Sequence, residues 1–346
     1  MEHHNSFISM IMDGMAGAPR VELPAPPPRP ITPRENRRLL MEHKQPRWIP
    51  FAGDYNMLIP DVVLERPAYN KGGTDWFGVE WEYADSIKAP CPKPGFVLFD
   101  DLSQWEKHVK FPDLDAIDWA GNAALIAPTL DPDKMNAVML FNGIFERLHS
   151  MMGFENALVG MFTEPEAAKD YFNAMADFKI RLMDKLITHY GIEAVVYHDD
   201  WGASKAPFFS EDMYEDLIYE PTKRICAYVH SRGCYFTQHC CGRVQELVPY
   251  MVEMGTDAWE SAQMNINDLP AIKAQYGDKL VMETMLVDPA INDPKAGEAA
   301  VREAVRRLVT PLAQGGGLVV TRLAGAPENL YWMYDEFYKL SQELYG

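Results

Sequence analysis

Residues 235–244 read YFTQHCCGRV, in a chain with five cysteines in all. Side chains alternate along an extended chain, so His239 and Cys241 project to one side and Cys240 to the other. A disulfide between adjacent cysteines needs a strained peptide unit, so the pair does not read as a structural bridge. His-x-Cys followed by Gly242 is instead the spacing of a metal-binding pair. One imidazole with one thiolate suits zinc. A catalytic zinc needs a third protein ligand and an open fourth position. No histidine follows His239 and no cysteine follows Cys241, so a carboxylate is the simplest third ligand. Glu260 is favoured, with Glu283 as the alternative and Asp199 or Asp200 third.

These residues need elements to hold them. "TPRE" supplies Thr32 as N-cap, Pro33 at the first helical position and Glu35 three residues on, a capping box that opens a helix to about residue 44. Residues 1–31, with "PAPPPRPI", read as an extended Pro-rich arm. Residues 47–100 carry aromatic and polar residues in alternation after Gly72-Gly73. They predict short strands and long loops, an irregular lid or insertion. From about residue 135 the texture is regular. "NAVMLF", "EAVVYHDDWG", "CYFTQHCCG", "TDAWES", "KLVMETM" and "GGGLVVTRLAG" read as strands, separated by helices of ten residues or more. A second capping box, Thr163 to Glu166, is expected to open a helix to Tyr190 that Gly191 stops, and Ser210 to cap the next. Alternating strands and helices mean βα units and a parallel sheet. With no GxGxxG or P-loop after the first strand, the reading is an α/β protein, a (β/α)8 TIM barrel over residues 32–346 with an N-terminal arm and an aromatic-rich insertion.

Reactive groups of such a barrel sit at the C-terminal strand ends. Those ends carry Asn142; His198, Asp199 and Asp200; His239 and Cys241; Glu260; Glu283; and Thr321 with Arg322. A buried carboxylate at a strand end needs a partner. Asp199 and Asp200 either cap a helix or face the cavity as acid–base groups. Trp76, Phe77, Trp81 and Tyr83 would suit a flat apolar ligand, although aromatic strands commonly serve as core. Cys91, Cys226 and Cys234 read as structural or incidental.

The bulk composition limits the function. A net charge of −18 leaves no basic stripe for nucleic acid and disfavours an anionic membrane surface. No apolar run approaches 18 residues, and the start of the sequence lacks the pattern of a signal peptide. Five unevenly spaced cysteines are no disulfide framework. A reduced, cytoplasmic protein is expected.

The segments "TPRENRRLLMEHKQPRWIP", "GTDWFGVEWE", "FERLHSMMG", "HDDWG", "GCYFTQHCCG", "MGTDAWES" and "GGGLVVTRLAGAPENL" resemble the uroporphyrinogen decarboxylase superfamily, and within it the corrinoid-dependent methyltransferases. The resemblance runs from about residue 32 to the C-terminus and implies a βα barrel with zinc at its mouth on a His-x-Cys pair, here His239 and Cys241. Those methyltransferases carry a further cysteine near the last strand. Here Thr321 and Arg322 stand in that neighbourhood. The decarboxylases carry an Arg-rich loop that clamps substrate carboxylates. The corresponding region here holds a single arginine, Arg66, so porphyrinogen decarboxylation is not expected.

The resemblance implies a zinc-dependent methyltransferase that moves a methyl group from a small methylated compound, such as an aryl methyl ether, to the Co(I) corrinoid (cobalamin) of a partner protein docked at the barrel mouth. Asp199 or Asp200 would be the acid–base group, with Trp76, Phe77, Trp81, Asn142, His198 and Arg322 around the substrate. The alternatives are a methylcorrinoid:thiol or tetrahydrofolate methyltransferase, and a non-catalytic corrinoid- or tetrapyrrole-binding barrel. A homodimer is also open.

Overall fold

A computed structural model describes residues 4–5, 21–67, 71–85 and 89–346 of the chain. Seven parallel strands form its main sheet: β1 (Tyr55–Leu58), β5 (Met135–Leu140), β6 (Ala194–His198), β7 (Tyr235–His239), β8 (Ala258–Glu260), β9 (Val281–Met285) and β10 (Leu318–Arg322). They pair in chain order. An eighth stave exists only as a bridge, where Phe51 pairs in parallel with Val320 and the Val320 amide donates to the Pro50 carbonyl. That bridge brings the last strand round to the segment leading into β1. The α/β barrel read from the sequence is the fold of the protein.

A second, antiparallel sheet joins β2 (Gly73–Thr74), β3 (Glu80–Ala84) and β4 (Ala89–Pro92). It lies within the stretch 47–100 read as irregular, but the same stretch also supplies β1 to the barrel. The four residues of β1, Tyr55–Leu58, are too short a run to be told from a loop in the sequence. Of the Pro-rich arm, residues 1–3 and 6–20 lie outside the described residues. Residues 21–31 carry neither helix nor strand, and Arg29 makes an ion pair with Asp54 at 2.8 Å.

The capping box at Thr32 forms as its sequence dictates. The Thr32 hydroxyl accepts from the Glu35 amide and the Glu35 carboxylate accepts from the Thr32 amide, opening a helix over Pro33–Met41. Leu40 and Met41 of that helix join Tyr55, Met135, Ala194, Val281 and Val319 in one buried apolar cluster, so the helix plugs the barrel interior. The box expected at Thr163 does not form. Thr163 ends a helix over Phe154–Thr163, its hydroxyl donating to the Val159 carbonyl, and the next helix, Pro165–Tyr190, has no side-chain cap. A Thr-x-x-Glu signal cannot distinguish a helix start from a short kink between two helices. Gly191 ends the long helix in the left-handed conformation, at φ 60°, and the Ser210 hydroxyl accepts from the Met213 amide as expected.

Candidate metal centre at the strand ends

Strand register assembles the site. His198 on β6 lies opposite His239 on β7, His239 opposite Glu260 on β8, and Glu260 opposite Glu283 on β9. Registered neighbours in a parallel sheet share a face, so four strands set one row of titratable groups. The imidazoles of His198 and His239 stack, their centroids 3.9 Å apart and their planes inclined by 14°.

The two nitrogens of His239 have separate partners. Nδ1 is hydrogen-bonded to the Glu260 carboxylate. Nε2 faces Cys241 Sγ at 3.6 Å and Asp200 Oδ1 at 3.7 Å. Asp200 also accepts from the Cys241 amide at 2.7 Å, so the loops after β6 and β7 hold each other. Donor atoms of His198, Asp200 and His239 all lie within 4.8 Å of one another, and Cys241 Sγ stands beside the His239 member of that group. Burial alone would lower the His239 pKa, but Glu260, Cys241 and Asp200 outweigh it and hold it well above the usual histidine value. The same pairing keeps Glu260 below the usual carboxylate range despite its burial. Burial, with His239 beside it, pushes His198 down to about 3, so its ring is neutral near pH 7. Its Nδ1 is bonded to Glu146 Oε2 at 2.9 Å.

Close backbone contacts fix this arrangement. Gly242 has φ 91°, and a Cβ there would meet the Gly202 carbonyl oxygen at 2.1 Å, so the glycine after Cys241 is required by the approach of the two loops. Ser261, just past β8, has φ 65°, a conformation that costs a non-glycine residue about 1–2 kcal/mol. Its hydroxyl sits 3.1 Å from Cys241 Sγ. Asn142, just past β5, is likewise left-handed at φ 54° and donates from its buried side chain to the Glu65 carbonyl.

The remaining candidates have other partners. Cys240 is buried with its Sγ accepting from the Trp201 amide at 3.2 Å, facing away from His239 as alternation requires. Asp199 is fully buried and caps a helix, though not the one that follows it. Its carboxylate accepts from the Phe145 and Glu146 amides, which open the helix Ile144–Met152, and from Trp201 Nε1. Burial and the neighbouring Glu146 carboxyl push its pKa up to about 8. Glu283 is paired with Arg37 at 3.1 Å inside the barrel. Phe77 is edge-on to Phe178, Trp81 Nε1 donates to Asp75, and both are buried, while Trp76 packs against the same core. These aromatics serve the core. A β-bulge between Val320 and Arg322 takes Thr321 out of the ladder, and Thr321 lines a cavity with Phe51 and Tyr334. The Arg322 side chain lies outside the described residues.

Glu146 and Ser261 join the site without a sequence signal that marks them. Glu146 sits in the first turn of a helix, where acidic residues are common for dipole reasons alone. Ser261 owes its place to a backbone angle. The insertion carries a third group, a buried ion cluster. Arg147 binds Glu65 Oε2 at 2.6 Å and Asp75 Oδ2 at 2.5 Å, and Lys179 reaches Glu65 Oε1 at 2.7 Å. All four side chains are nearly or fully buried.

With fold and site in view, the chain can be placed among known proteins. It belongs to the uroporphyrinogen decarboxylase (URO-D) family, which it matches over residues 74–322. No curated protein matches it. Among solved structures, a methyltransferase from Methanosarcina mazei aligns over 90% of this chain and 99% of its own, with a TM-score of 0.66 and 11% identity. At that identity the likeness is one of fold. A 3-keto-D-glucoside 4-epimerase from E. coli aligns over 72% of this chain and 97% of its own, with a TM-score of 0.37 and 14% identity. Among the described residues, no helix is long and apolar enough to cross a membrane.

Proposed function

We propose that the protein is a zinc-dependent methyltransferase that takes a methyl group from a small methylated compound, most readily an aryl methyl ether, and gives it to the Co(I) corrinoid of a partner protein. The observation that carries this reading is the convergence of Cys241 Sγ and Asp200 Oδ1 on one nitrogen of His239. A sulfur, a nitrogen and a carboxylate oxygen from adjacent strand ends match the donors of a catalytic zinc site. The URO-D family match and the fold shared with a methyltransferase agree with it.

His239 through Nε2, Cys241 and Asp200 would hold the metal. Glu260, on Nδ1, is the carboxylate that orients the imidazole and raises its basicity, a partner commonly found behind a metal-ligating histidine. This reading replaces Glu260 with Asp200 as the third ligand. When bound, zinc supplies Lewis acidity that stabilises negative charge on the substrate's leaving atom. The chain's own residues do the rest. His198 stays neutral and stacks on His239, fixing that ring. Ser261 meets the Cys241 sulfur. Asp199, spent on the helix 144–152, holds β6 and that helix together without touching substrate. The overall exchange is balanced: the methyl group leaves the ether as a cation equivalent, Co(I) supplies the electron pair of the new bond, and the released oxygen takes a proton.

Porphyrinogen decarboxylation fits this site poorly. The region that corresponds to the decarboxylases' Arg-rich clamp holds one arginine, Arg66, too few to hold a polycarboxylate substrate. The test is to assay the purified protein for metal and then mix it with reduced cobalamin and a panel of methoxylated aromatics. Methylcobalamin formation that depends on bound zinc supports the reading. Decarboxylation of uroporphyrinogen, or zinc-independent behaviour, refutes it.

A further inference from the structure

The helix Pro33–Met41 packs against the first residues of β1, β5, β6 and β9, so it closes the N-terminal end of the barrel. One of its side chains runs inward past that apolar plug. Arg37 is fully buried. Its guanidinium lies over the ring of Tyr55, with the central carbon 3.6 Å from the ring centroid. One amino group donates to Glu283 Oε1 at 3.1 Å and the other to the Phe51 carbonyl, also at 3.1 Å. A ring face and two acceptors on different segments fix the direction of the fork. Ala137, Ala194 and Ala258 line the same interior cluster, and side chains of that size leave the barrel axis open to a long one.

Glu283 has a rival beside it. It is registered opposite Glu260 on the neighbouring strand, and registered residues of a parallel sheet share a face. Glu260 makes the Nδ1 bond that orients His239. Burial pushes the Glu283 carboxyl up and Glu260 adds to that, while Arg37 opposes both. The charge of Arg37 reaches Glu260 as well. Two carboxylates of the same kind thus serve different partners, one a guanidinium and the other an imidazole. A buried ion pair is often no more stable than an apolar pair of the same volume. Packing alone therefore gives no reason to place one on the barrel axis, next to the carboxylate behind the metal-binding imidazole.

We infer that Arg37 and Glu283 are a positioning pair for the metal centre: Arg37, entering through the floor of the barrel, holds Glu283 away from Glu260, so that Glu260 alone binds Nδ1 of His239 and turns Nε2 toward the metal. This inference rests on the zinc-site reading and extends it by two residues that touch neither metal nor substrate. The pair works only as a pair. Without Arg37, the Glu283 carboxylate turns to the remaining donor nearby, the imidazole that Glu260 holds. Without Glu283, the buried guanidinium turns to Glu260 and draws it from His239. With both charges gone, Glu260 has no rival for the imidazole.

Metal binding tests this without requiring turnover. Full-length wild type, Arg37→Met, Glu283→Gln and the double variant are titrated with zinc in buffered solution. Each is also loaded with cobalt(II), whose visible absorption follows the geometry of its ligands. Each single variant should bind zinc about 10- to 100-fold more weakly than wild type, the range for losing an outer partner of a ligand. Its cobalt bands should shift as well. The double variant should recover most of the affinity and the wild-type bands, and with Glu283→Gln it decides the matter should Arg37→Met not fold. In a Glu260→Gln background, Arg37→Met should cost little more, because its route to His239 is already cut. Folded single variants with wild-type affinity and spectrum, or losses that simply add in the double variant, overturn the inference and leave the zinc site standing. A wild type that binds neither zinc nor cobalt overturns the zinc-site reading and this inference together.

Discussion

Glu260 binds Nδ1 of His239 while Cys241 Sγ faces Nε2 of the same ring at 3.6 Å. One carboxylate and one thiol thus use opposite edges of a single imidazole, and the two edges imply different roles. The residue on Nδ1 fixes tautomer and orientation. The residue on Nε2 shares whatever that nitrogen binds.

Gly242→Ala should damage the centre without altering any donor. The added Cβ would collide with the Gly202 carbonyl, at a φ of 91° that strains any L-residue. A loss of stability of at least ~1–2 kcal/mol is expected from the conformation alone. Zinc affinity should fall with it, because the two loops carry Asp200 and Cys241. Denaturant unfolding together with metal content checks this; a variant with wild-type values of both would show that the loops can part without consequence.

Asp199→Asn should lower stability and leave metal in place. The carboxylate serves three N–H donors with two oxygens, and an amide offers only one acceptor. A cost of about 1–3 kcal/mol follows from an unsatisfied buried donor. Zinc stoichiometry of the folded variant should stay at the wild-type value. Its loss would return Asp199 to the list of ligands.

Arg147→Met should be among the most destabilising substitutions in the chain. It leaves Glu65 with Lys179 alone and Asp75 without its cation, for about 3–5 kcal/mol. Adding Asp75→Asn should recover part of that cost, since the uncompensated charge is then gone. Urea unfolding of the single and double variants measures the coupling, and strictly additive effects would contradict a buried charge network.

The pair of His230 and Asp257 gives a pH signature remote from the site. The hydrogen bond that His230 Nε2 donates to the Asp257 carboxylate, at 2.9 Å, raises the His230 pKa above 6.5 despite partial burial. A raised pKa in the folded state means the stabilisation is complete below the unfolded value of 6.5 and is lost as pH rises through the folded one. Unfolding temperatures of wild type and His230→Gln should therefore differ more at pH 6 than at pH 9. An equal gap at both would show that the pair carries no charge-dependent stability.

The sequence makes the barrel and the central pair legible for the same reason: short periods repeat. Strand–helix alternation from residue 135 onward yields the parallel sheet, and the two-residue period puts His239 and Cys241 on one side with Cys240 on the other. Alternation also places Glu260 inside the barrel, but no period says which nitrogen of a histidine a carboxylate will meet. Asp199 and Asp200 follow the last residue of β6 as Cys240 and Cys241 follow that of β7; the period carried past the strand separates the two aspartates but does not say that one caps a helix and the other joins the cluster. Thr321 is displaced by a bulge and Ser261 by a left-handed backbone angle, and neither leaves a mark in residue type. The aromatics of 76–81 suit either a flat apolar ligand or a core in the sequence alone, and in the fold they pack in or against the core. Asp75, which turns Trp81 inward, is paired with an arginine 72 positions away.

The central claim is that His239, Cys241 and Asp200 hold a zinc ion while Glu260 orients His239. It is tested most directly by measuring zinc bound per chain, in zinc-buffered solution, for folded wild type, Cys241→Ala, Cys240→Ala, Asp200→Asn and Glu260→Gln. About one zinc is expected in wild type and Cys240→Ala. Loss is expected in Cys241→Ala, a large drop in Asp200→Asn, and retention in Glu260→Gln with affinity weakened about 10- to 100-fold. Full zinc binding in Cys241→Ala, or its abolition in Glu260→Gln with Asp200→Asn unaffected, would contradict it.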